Sequence, residues 1–478
     1  MFFNSFPFAV FAPIVFLLYW FVFQKSLKAQ NILLLVASYF FYSCWDWRFV
    51  FLLLFSTVLD YFSGLQIEKS TDIRDRKFWF YASIGINLSF LAVFKYFDFF
   101  VLSFQSLFLK CGFSVDVFTL NIILPVGISF YTFHGLSYVI DVYKKRIAVE
   151  KNFVEYAVFV AYFPLLVAGP IERATHLLPQ IKVKRNFNYD LAISGLYQIL
   201  WGLFKKIVIA DNCAHFTNII FNDPSQYSGS TLVVGALFFS FQIYGDFSGY
   251  SDIALGTSRL LGIELLKNFA FPYFSRDIAE FWRRWHISLS SWFKDYLYIP
   301  LGGSKGGKWM QIRNTFIIFL LSGFWHGANW TFFIWGFLNA LYFLPLLLTN
   351  KNRTNLEIVA KNRWLPNFKE SCQMIVTFGL TAFAWIFFRA DSVASASHYI
   401  KGIFTKSLFS LPEIRPTFLI LLVLFFIIIE WLGREGNFAL DSFRKQGNRW
   451  FRWSFMMLIL VLLFVFGKEE QQFIYFQF

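Results

Sequence analysis

The sequence predicts an all-α protein that crosses a membrane many times. Of its 478 residues, 57% are hydrophobic and only 15% are charged, whereas about 25% of residues are charged in soluble globular proteins. Many apolar runs are long enough to cross the roughly 30 Å hydrocarbon core of a bilayer. Hydropathy gives roughly eleven spans. We interpret residues 1–478 as a single integral membrane domain that also carries helices along the cytoplasmic interface.

The charge pattern indicates which partners to expect. The net charge is +14, and the basic residues lie in short loops between apolar runs, as is typical of the cytoplasmic loops of membrane proteins. Membrane lipid is therefore the expected partner, and nucleic acid is not. The four cysteines are isolated in the sequence, so neither a disulfide framework nor a zinc site is predicted.

A series of apolar runs fills the first part of the chain. They are residues 6–23, 31–45, 47–65, 78–100, 118–140, 153–168 and 191–210. The first run is expected to be an uncleaved span, because it has neither a basic n-region nor a convincing small-residue cleavage site. Residues 68–77 predict a polar loop. Lys205 and Lys206 lie inside the last run. Their charged ends are expected either to snorkel to the interface or to face a cavity, and we favour snorkelling.

The next apolar run, residues 231–262, contains the polar sequence FQIYGDFSGYSDIALG. Its two acids, Asp246 and Asp252, are too costly for a helix that faces lipid. This helix must therefore face protein, water or substrate. The two carboxylates are expected either to orient a histidine or to satisfy buried helix ends, and we favour the structural role.

Residues 276–303 read RDIAEFWRRWHISLSSWFKDYLYIPLGG. Apolar residues recur there every three or four positions, which predicts an amphipathic helix over residues 278–289 at the cytoplasmic interface. Residues 267–313 carry eight basic and three acidic side chains, which also favours the cytoplasmic side. The following GGSKGGK resembles a phosphate loop in spacing, but Trp309 occupies the Ser/Thr position. We therefore interpret it as a flexible turn.

The last part of the chain contains a second unusual sequence, SGFWHGANW. It interrupts the apolar residues 314–348 and predicts either two spans or one broken helix, with His326 at the break. A polar loop is expected over residues 350–369. The remaining predicted spans are residues 372–389, 417–432 and 453–466, and the aromatic residues 473–478 are expected to lie at the interface.

Two of the six histidines stand out. His326 lies in an apolar run, where a histidine typically marks a proton relay, a ligand or a general base. His286 follows two arginines at the expected interface. A metal site is the weaker interpretation, because no acid or cysteine accompanies either one at metal-ligand spacing. His134 is interpreted as a hydrogen-bonded packing residue, and the three others, His176, His215 and His398, as members of polar connections.

Together these motifs resemble the membrane-bound O-acyltransferase family. The resemblance rests on LPVGISFYTF, SYVIDVY, AGPIER, FQIYGDFSGYSDIALG, the two stretches that hold His286 and His326, and the closing FIYFQF. The chain looks most similar to the bacterial branch that contains the alginate O-acetylation protein and the peptidoglycan O-acetyltransferase membrane component. The D-alanine transfer protein of teichoic acid modification is a more distant relative. The signature core covers about residues 230–345.

The resemblance carries expectations about fold and reaction. It implies a ring of tilted helices around a central cytoplasmic funnel, in a bacterial cytoplasmic (inner) membrane. Acetyl-coenzyme A would be the donor substrate, and no bound cofactor is expected. The acetyl group would cross the membrane to an extracytoplasmic SGNH-type transferase, which would place it on an alginate-like exopolysaccharide or on peptidoglycan.

The resemblance also assigns candidate site residues. The catalytic histidine falls on His326 and a second family histidine on His286. His326 could act as a general base or carry the acetyl group covalently. The candidate substrate-binding residues are Arg283, Arg284, Trp285, Asn329, Asp246 and Asp252. The two arginines, with Lys294, Lys305 and Lys308, could attract the phosphates of the donor, and contact with lipid headgroups is an equally good interpretation.

Three rival functions fit parts of the pattern. A transporter or channel for an acylated or sugar lipid would also have many spans, broken helices and intramembrane acids. A scaffold for an outer transferase would need the loops but not His326. D-alanyl transfer to teichoic acid is the third alternative.

Overall fold

The computed structural model describes residues 1–445, 448–467, 471 and 473–474. Within those residues the chain is helical and contains no strand, so the predicted all-α class is confirmed. The residues divide into two compact units. Unit 1 comprises Met1–Ala192 and Thr257–Leu266, and unit 2 comprises Ile193–Gly256 and Lys267 to the end of the described chain. Two of the three boundaries, after Ala192 and after Gly256, fall inside helices, and the single-domain interpretation stays a prediction.

Unit 1 begins with eight helices. They are α1 Phe6–Leu17, α2 Leu27–Ser43, α3 Arg48–Lys69, α4 Ile73–Leu91, α5 Phe97–Lys110, α6 Ile128–Tyr143, α7 Phe153–Ala161 and α8 Ala174–Ile181. Short π-helical turns, Leu18–Val22 and Ala92–Tyr96, extend α1 and join α4 to α5. Unit 1 also includes the first residues of α9 and the last residues of α11.

The chain continues through twelve further helices. They are α9 Tyr189–Leu203, α10 Asp211–Asn222, α11 Gly229–Leu260, α12 Ile278–Arg284, α13 Ile287–Phe293, α14 Gly307–His326, α15 Trp330–Leu348, α16 Phe368–Arg389, α17 Val393–Ile403, α18 Thr417–Gly433, α19 Asp441–Lys445 and α20 Arg449–Phe466. The π-helical turns Phe204–Ala210 and Lys294–Tyr298 follow α9 and α13, and 3₁₀ turns occupy Pro224–Gln226, Pro272–Phe274 and Lys406–Phe409.

Several of these helices are long and apolar enough to cross a membrane. Among the described residues there are seven, namely Arg48–Lys69, Ile73–Lys110, Tyr189–Asn222, Gly229–Leu260, Trp330–Leu348, Phe368–Arg389 and Arg449–Phe466. Phe6–Val22 and Thr417–Gly433 are apolar but shorter. A multi-pass membrane protein is therefore confirmed, whereas the count of eleven spans is not.

Two predicted boundaries in unit 1 are wrong. The expected loop over residues 68–77 is only three residues long in the structure, because polar side chains cap helices as readily as they form loops. Here the Asp72 carboxylate accepts a hydrogen bond from the backbone N–H of Arg74 at 3.0 Å. The expected span over residues 118–140 becomes helical only at Ile128. Gly127 precedes it with a φ of +74°, and a Cβ there would lie 2.0 Å from the carbonyl oxygen of Leu166.

A buried glutamate joins several segments of unit 1. The Glu172 carboxylate accepts hydrogen bonds from the backbone N–H of Leu266 at 2.5 Å and from Nδ1 of His176 at 2.9 Å. The backbone N–H of Glu172 donates to Nε2 of His134 at 3.1 Å. The packing role predicted for His134 is therefore confirmed. The Glu172 hydrogen bond raises the pKa of His176 above its usual value, which gives this surface histidine a structural link that its sequence position does not reveal.

The two lysines that follow α9 do not snorkel. Their side chains are almost wholly buried, and Lys205 pairs with Asp252 at 2.5 Å. Lys206 pairs with Asp211 at 2.7 Å and with Asp246 at 2.9 Å. The prediction failed because the partners are supplied by helices α10 and α11, and a paired buried charge avoids most of the cost of an isolated one.

The end of the described chain is also held by this cluster. The backbone N–H of Ile474 donates to the Asp246 carboxylate at 2.6 Å, and Nζ of Lys206 donates to the carbonyl oxygen of Gln471 at 3.1 Å. Phe473 and Ile474 are buried, so these two residues lie inside unit 2 rather than at the interface. The rest of the predicted interfacial segment, residues 475–478, is outside the described residues.

The His176–Glu172 contact predicts a pH-dependent stability. Because the pKa of His176 is raised by folding, the contact stabilises the protein fully below the pKa of an unfolded histidine and loses this contribution as the pH rises through the folded value. The variant His176→Gln keeps a hydrogen-bond donor but has no charge. We expect it to have a lower melting temperature than the parent at about pH 5.5 and an equal one at about pH 8.5. His398→Gln changes an exposed histidine and is the control. The prediction would be contradicted if the melting temperatures of the parent and of His176→Gln differed by the same amount at both pH values.

The lysine cluster predicts a large stability loss. Lys206→Met leaves two buried carboxylates without their cation, which typically costs about 3–5 kcal/mol. We expect a clearly lower unfolding temperature in detergent, measured by fluorescence-detected aggregation. Lys401→Met removes an exposed lysine from the same unit and should leave the temperature unchanged. Equal behaviour of the two variants would show that Lys206 is not a structural cation.

Candidate functional site

The helical hairpin formed by α14 and α15 is interrupted between His326 and Trp330, as the sequence predicts. Asn329 caps the second helix, because its side-chain oxygen accepts a hydrogen bond from the backbone N–H of Thr331 at 3.1 Å. Its side-chain nitrogen donates to the carbonyl oxygen of Asp391 at 2.8 Å. The amide of Asn329 thus stabilises the break and joins it to the end of α16.

The two helices of this hairpin pack backbone against backbone. A Cβ atom on Gly323 would lie 2.2 Å from the carbonyl oxygen of Phe332, and one on Gly336 would lie 2.3 Å from that of Phe319. Only glycine fits such an approach, and close packing through small residues is typical of membrane helices. The glycines therefore fix the position of the last turn of α14, which carries His326.

His326 is the last residue of α14 and is only 5% exposed. Its ring lies 5.0 Å from that of Trp325, 5.2 Å from that of Trp335 and 5.2 Å from that of Phe388, measured between ring centroids. The ring of His286 is 6.4 Å away. The structure thus brings together the two histidines that the sequence singled out, inside an aromatic shell.

His286 lies between two short helices rather than within one. The single amphipathic helix predicted over residues 278–289 is therefore wrong. A segment outside this stretch holds the corner: the backbone N–H of Ile287 donates to the carbonyl oxygen of Asn268 at 2.9 Å. The Asn268 side chain accepts from the hydroxyl of Ser288 at 2.5 Å and donates to that of Ser251 at 3.0 Å. Asn268 thus connects the corner to α11.

The His286 ring is completely buried in an apolar environment. Its backbone has a φ of +43°, which is uncommon outside glycine and costs about 1–3 kcal/mol. The ring packs against Phe247 at 4.7 Å and Trp325 at 5.9 Å. Within the part of the chain that the structure describes, neither ring nitrogen has a hydrogen-bond partner. Burial lowers the pKa of His286 to about 3, so the imidazole is neutral at physiological pH.

Four tryptophans extend this shell away from the histidines. Trp335 stacks on Trp385 at 5.5 Å and meets Trp282 at 5.6 Å, while Trp285 lies 5.1 Å from Trp385. Three of them are less than 3% exposed. Trp285, predicted as a substrate-binding residue, is therefore a packing residue of this cluster. Such a dry surrounding strengthens every polar interaction that a reacting group makes inside it.

The arginines of α12 have structural partners. The Glu280 carboxylate is buried and accepts hydrogen bonds from Arg276 at 3.0 Å and from Arg284 at 2.8 Å. Both guanidinium groups also donate to the carbonyl oxygen of Glu357, at 2.5 Å and 3.3 Å. This cluster ties α12 to the loop over residues 350–367.

Arg283 holds the same loop. Its guanidinium donates to the carbonyl oxygen of Asn352 at 2.9 Å and to that of Asn355 at 2.7 Å. Lys308 similarly donates to the carbonyl oxygen of Leu348 at 2.9 Å. These cations were predicted to attract donor phosphates. The structure instead shows their donors on backbone carbonyls that lie about 40 to 70 residues away in the sequence, a pairing that spacing alone does not reveal.

The two aspartates of α11 do not reach the histidines. Asp246 and Asp252 pair with Lys206 and Lys205, and Asp252 also accepts a hydrogen bond from the side chain of Gln198 at 2.7 Å. No described histidine hydrogen-bonds to either carboxylate. Their structural role, the favoured interpretation, agrees with these contacts.

Reasoning from the sequence missed several residues that shape the site. Phe247, Trp335 and Phe388 contact a histidine ring from three different helices, and Asn268 positions His286. Aromatic residues are so frequent in this chain that none of the three rings stands out. Asn268 could have been noticed as a polar residue directly before the aromatic-rich segment FAFPYF.

A cavity of about 240 Å³ lies beside the hairpin. Its wall includes Ser322, which is one helical turn before His326, and Trp282, which contacts the Trp335 ring. Lys294 and Arg353 line it as well, and both are exposed. The cavity therefore joins a basic surface to the turn that precedes the catalytic candidate.

The described residues contain no group of three histidine, cysteine, aspartate or glutamate side chains that could hold a metal ion. The site presents two imidazoles in an aromatic shell. Imidazoles are suited to proton transfer and nucleophilic catalysis.

Comparison with known proteins places this arrangement in a family. Residues 143–387 match the family model of the membrane-bound O-acyltransferases (MBOAT). The chain is 34% identical over its full length to the peptidoglycan O-acetyltransferase of Helicobacter pylori, covering 97% of that protein. It is 37% identical to the probable alginate O-acetylase AlgI of Pseudomonas aeruginosa, over 85% of this chain and 76% of that protein.

A more distant similarity connects it to the teichoic acid D-alanyltransferase of Bacillus subtilis, which is 28% identical over 56% of this chain and 69% of that protein. The family match includes both histidines, the broken hairpin and all four residues of the tryptophan cluster. These similarities confirm the resemblance seen in the sequence motifs. The chain belongs to the membrane-bound O-acyltransferase family and is a multi-pass membrane O-acyltransferase.

Proposed function

We propose that the protein transfers acetyl groups from cytoplasmic acetyl-coenzyme A to an exported polysaccharide, with His326 in the reaction. The observation that carries this proposal is the position of His326. It ends a broken helix, and its ring lies 6.4 Å from a second imidazole. One helical turn before it, Ser322 lines a cavity that has basic residues on its wall. The names of the similar proteins favour acetyl as the transferred group.

The two ends of the helices in unit 2 differ in charge. Residues 294–313, 350–369 and 434–452 lie at one end and carry fourteen lysines and arginines, whereas residues 223–229, 327–329 and 389–416 lie at the other and carry four. Hydrogen bonds such as that of Asn329 to Asp391 place the latter segments together. The positive-inside rule puts the basic end in the cytoplasm, and His326 is at the end of α14 away from it.

The cavity beside α14 suits the donor. The phosphates of coenzyme A need cations near the cytoplasm, and Lys294 and Arg353 are the exposed cations on its wall. Arg353 has no hydrogen-bond or ion-pair partner among the described residues. Apolar side chains, including Phe319, line the inner part. The thioester end would then point along α14 toward Ser322 and His326.

The proposed chemistry is a direct acyl transfer. A neutral His326 imidazole takes the proton of the acceptor hydroxyl while its oxygen bonds to the thioester carbonyl carbon. The carbon–sulfur bond breaks, and the imidazolium returns the proton to the leaving thiolate. General base catalysis of this kind is worth about 10²–10⁴-fold in rate. The neutral His286 imidazole, with its ring nitrogens free of other partners, would donate a hydrogen bond to the developing oxyanion.

The acceptor and the partner follow from where the acetyl group is released. Because His326 faces the end away from the basic loops, the acetyl group would leave on the outer side of a bacterial cytoplasmic membrane. An extracytoplasmic SGNH-type transferase would supply the acceptor hydroxyl, hold the acetyl group as an ester and pass it to an alginate-like polysaccharide or to peptidoglycan, the polymers that the names of the similar proteins indicate. D-alanyl transfer is less favoured, since that relative aligns with little more than half of the chain.

Removal of the His326 imidazole should abolish the reaction. We expect His326→Ala to lower thiol release from acetyl-coenzyme A by about 10²–10⁴-fold. The assay uses purified protein in nanodiscs, with and without the outer transferase, and follows free thiol and acetyl label together. His398→Ala, at an exposed histidine, should retain the parental rate.

Parental thiol release by His326→Ala in both conditions would exclude the proposed role and favour a transporter or scaffold. Label bound to the parent protein would identify a covalent carrier instead of a general base.

The cavity cations should affect donor affinity rather than the chemical step. An exposed ion pair contributes about 0.2–1 kcal/mol, so Lys294→Gln and Arg353→Gln should each raise the KM for acetyl-coenzyme A by about two- to fivefold with kcat unchanged. Lys401→Gln removes an exposed lysine at the other end of unit 2 and is the matched control. If the KM for an acetyl thioester without phosphates rises equally, the cations do not bind phosphate.

A further inference from the structure

A second cavity opens among helices at the basic end of unit 2, with a volume of about 530 Å³. It lies between the loop over residues 350–367, the end of α18, α19 and the start of α20. Its walls are of two kinds. The apolar residues are Trp364, Leu432, Phe443 and Phe451, and the polar ones are Asn362, Arg363, Arg434, Glu435 and Ser442.

The segments that form this cavity are strongly basic. Residues 350–369 and 434–452 contain ten lysines and arginines and three acids. The positive-inside rule places them at the cytoplasmic surface. Clusters of four to eight basic residues beside membrane helices typically attract anionic lipid. The charge of the cavity is therefore complementary to a phosphodiester.

The polar residues of the cavity separate into structural groups and one accessible cation. Arg434 donates to the carbonyl oxygens of Ala360 and Arg363, at 2.7 Å and 2.6 Å, and so belongs to the wall. Glu435 accepts a hydrogen bond from the backbone N–H of Asn362 at 3.0 Å and lies 3.5 Å from Arg434, which compensates its charge.

Arg363 is the accessible cation. Its Nη2 donates to the carboxylate of Glu370 at 2.8 Å, while Nε and Nη1 have no partner among the residues that the structure describes. The side chain is about half exposed, at 48%. Two donors of a guanidinium in this state match two oxygens of a phosphate.

The apolar wall distinguishes a lipid from a soluble phosphate. Trp364 is 83% exposed and Phe451 is 55% exposed, although both lie beside the cation. Aromatic rings in this position are typical of the membrane interface, where one end is apolar and the other wet. Inorganic phosphate would leave these rings in water, whereas the glycerol and upper acyl chains of a lipid would cover them.

We propose that this cavity binds an anionic phospholipid, with its phosphate on Arg363 and its acyl chains against Trp364 and Phe451. Bound there, the lipid fastens the loop over residues 350–367 to α18 and α20. The site is separate from the cavity beside α14 and does not depend on the acetyl-transfer proposal.

The test is lipid retention by the intact protein. Parent protein is exchanged into detergent with phosphatidylglycerol or phosphatidylcholine, and bound lipid is measured by native mass spectrometry. We expect retention of phosphatidylglycerol over phosphatidylcholine, and a loss of about tenfold or more in Arg363→Gln. Phe451→Ala, which leaves the Arg363–Glu370 pair intact, should weaken retention as well. Lys401→Gln is the charge-matched control and should behave like the parent.

Three outcomes would overturn the proposal. Equal retention of the two lipids would show that the site does not select a lipid with a net negative charge, which the proposal requires. Full retention by Arg363→Gln and Phe451→Ala, in protein with the parental elution volume, would place the lipid elsewhere. Displacement of phosphatidylglycerol by inorganic phosphate or glycerophosphoglycerol at similar concentrations would identify a soluble anion site.

Discussion

The interruption of the α14–α15 hairpin is the feature on which the site depends. A helix that ends inside a protein leaves backbone groups without partners, and each costs free energy if it stays unsatisfied. Here Asn329 caps the next helix, while Gly323 and Gly336 let the two backbones touch. Because the hairpin cannot slide without a clash at these glycines, the last residue of α14 has a fixed position. His326 occupies this position. The fixed helix end and the surrounding aromatic rings therefore both restrict where its imidazole can lie.

The second imidazole reaches the same place by a different route. His286 sits at a corner with a strained backbone, which persists because Asn268 bonds to the two residues that follow it, Ile287 and Ser288, and to α11. Two unrelated interruptions of helical structure therefore converge on one aromatic shell. In an uninterrupted helix each side chain is flanked by the helical turns before and after it. At a helix end or at a corner a regular helix flanks the side chain on one side only, so the side chain is less enclosed by its own backbone. This geometry is why a reactive pair can lie in the middle of so apolar a chain.

The sequence predicted what depends on local patterning. Hydropathy found most helices, and the Gly-Phe-Trp-His-Gly-Ala-Asn sequence located the break, because both signals arise within a few residues. It failed where partners come from far along the chain. Lys206 was expected to reach the interface, because its partner Asp246 lies forty residues away in another helix and the local sequence does not reveal the pairing. The loop interpretation of residues 68–77 failed for the opposite reason: polar residues cap helices and connect them with equal ease.

The arginines of α12 show how function is divided among similar residues. From the sequence, Arg283 and Arg284 were as good candidates for phosphate binding as Lys294, Lys305 and Lys308, and Arg276 precedes them in the same basic stretch. The structure gives all three to Glu280 and to backbone carbonyls of the loop over residues 350–367. A guanidinium whose donors are already aligned on carbonyls has little left for a ligand, and moving it would leave the buried Glu280 carboxylate without its charge partner. Two of the cations that remain for ligands, Arg353 and Arg363, belong to that same loop. The arginines of α12 therefore act on ligands indirectly, since they hold in place the loop whose two ends line the two basic cavities.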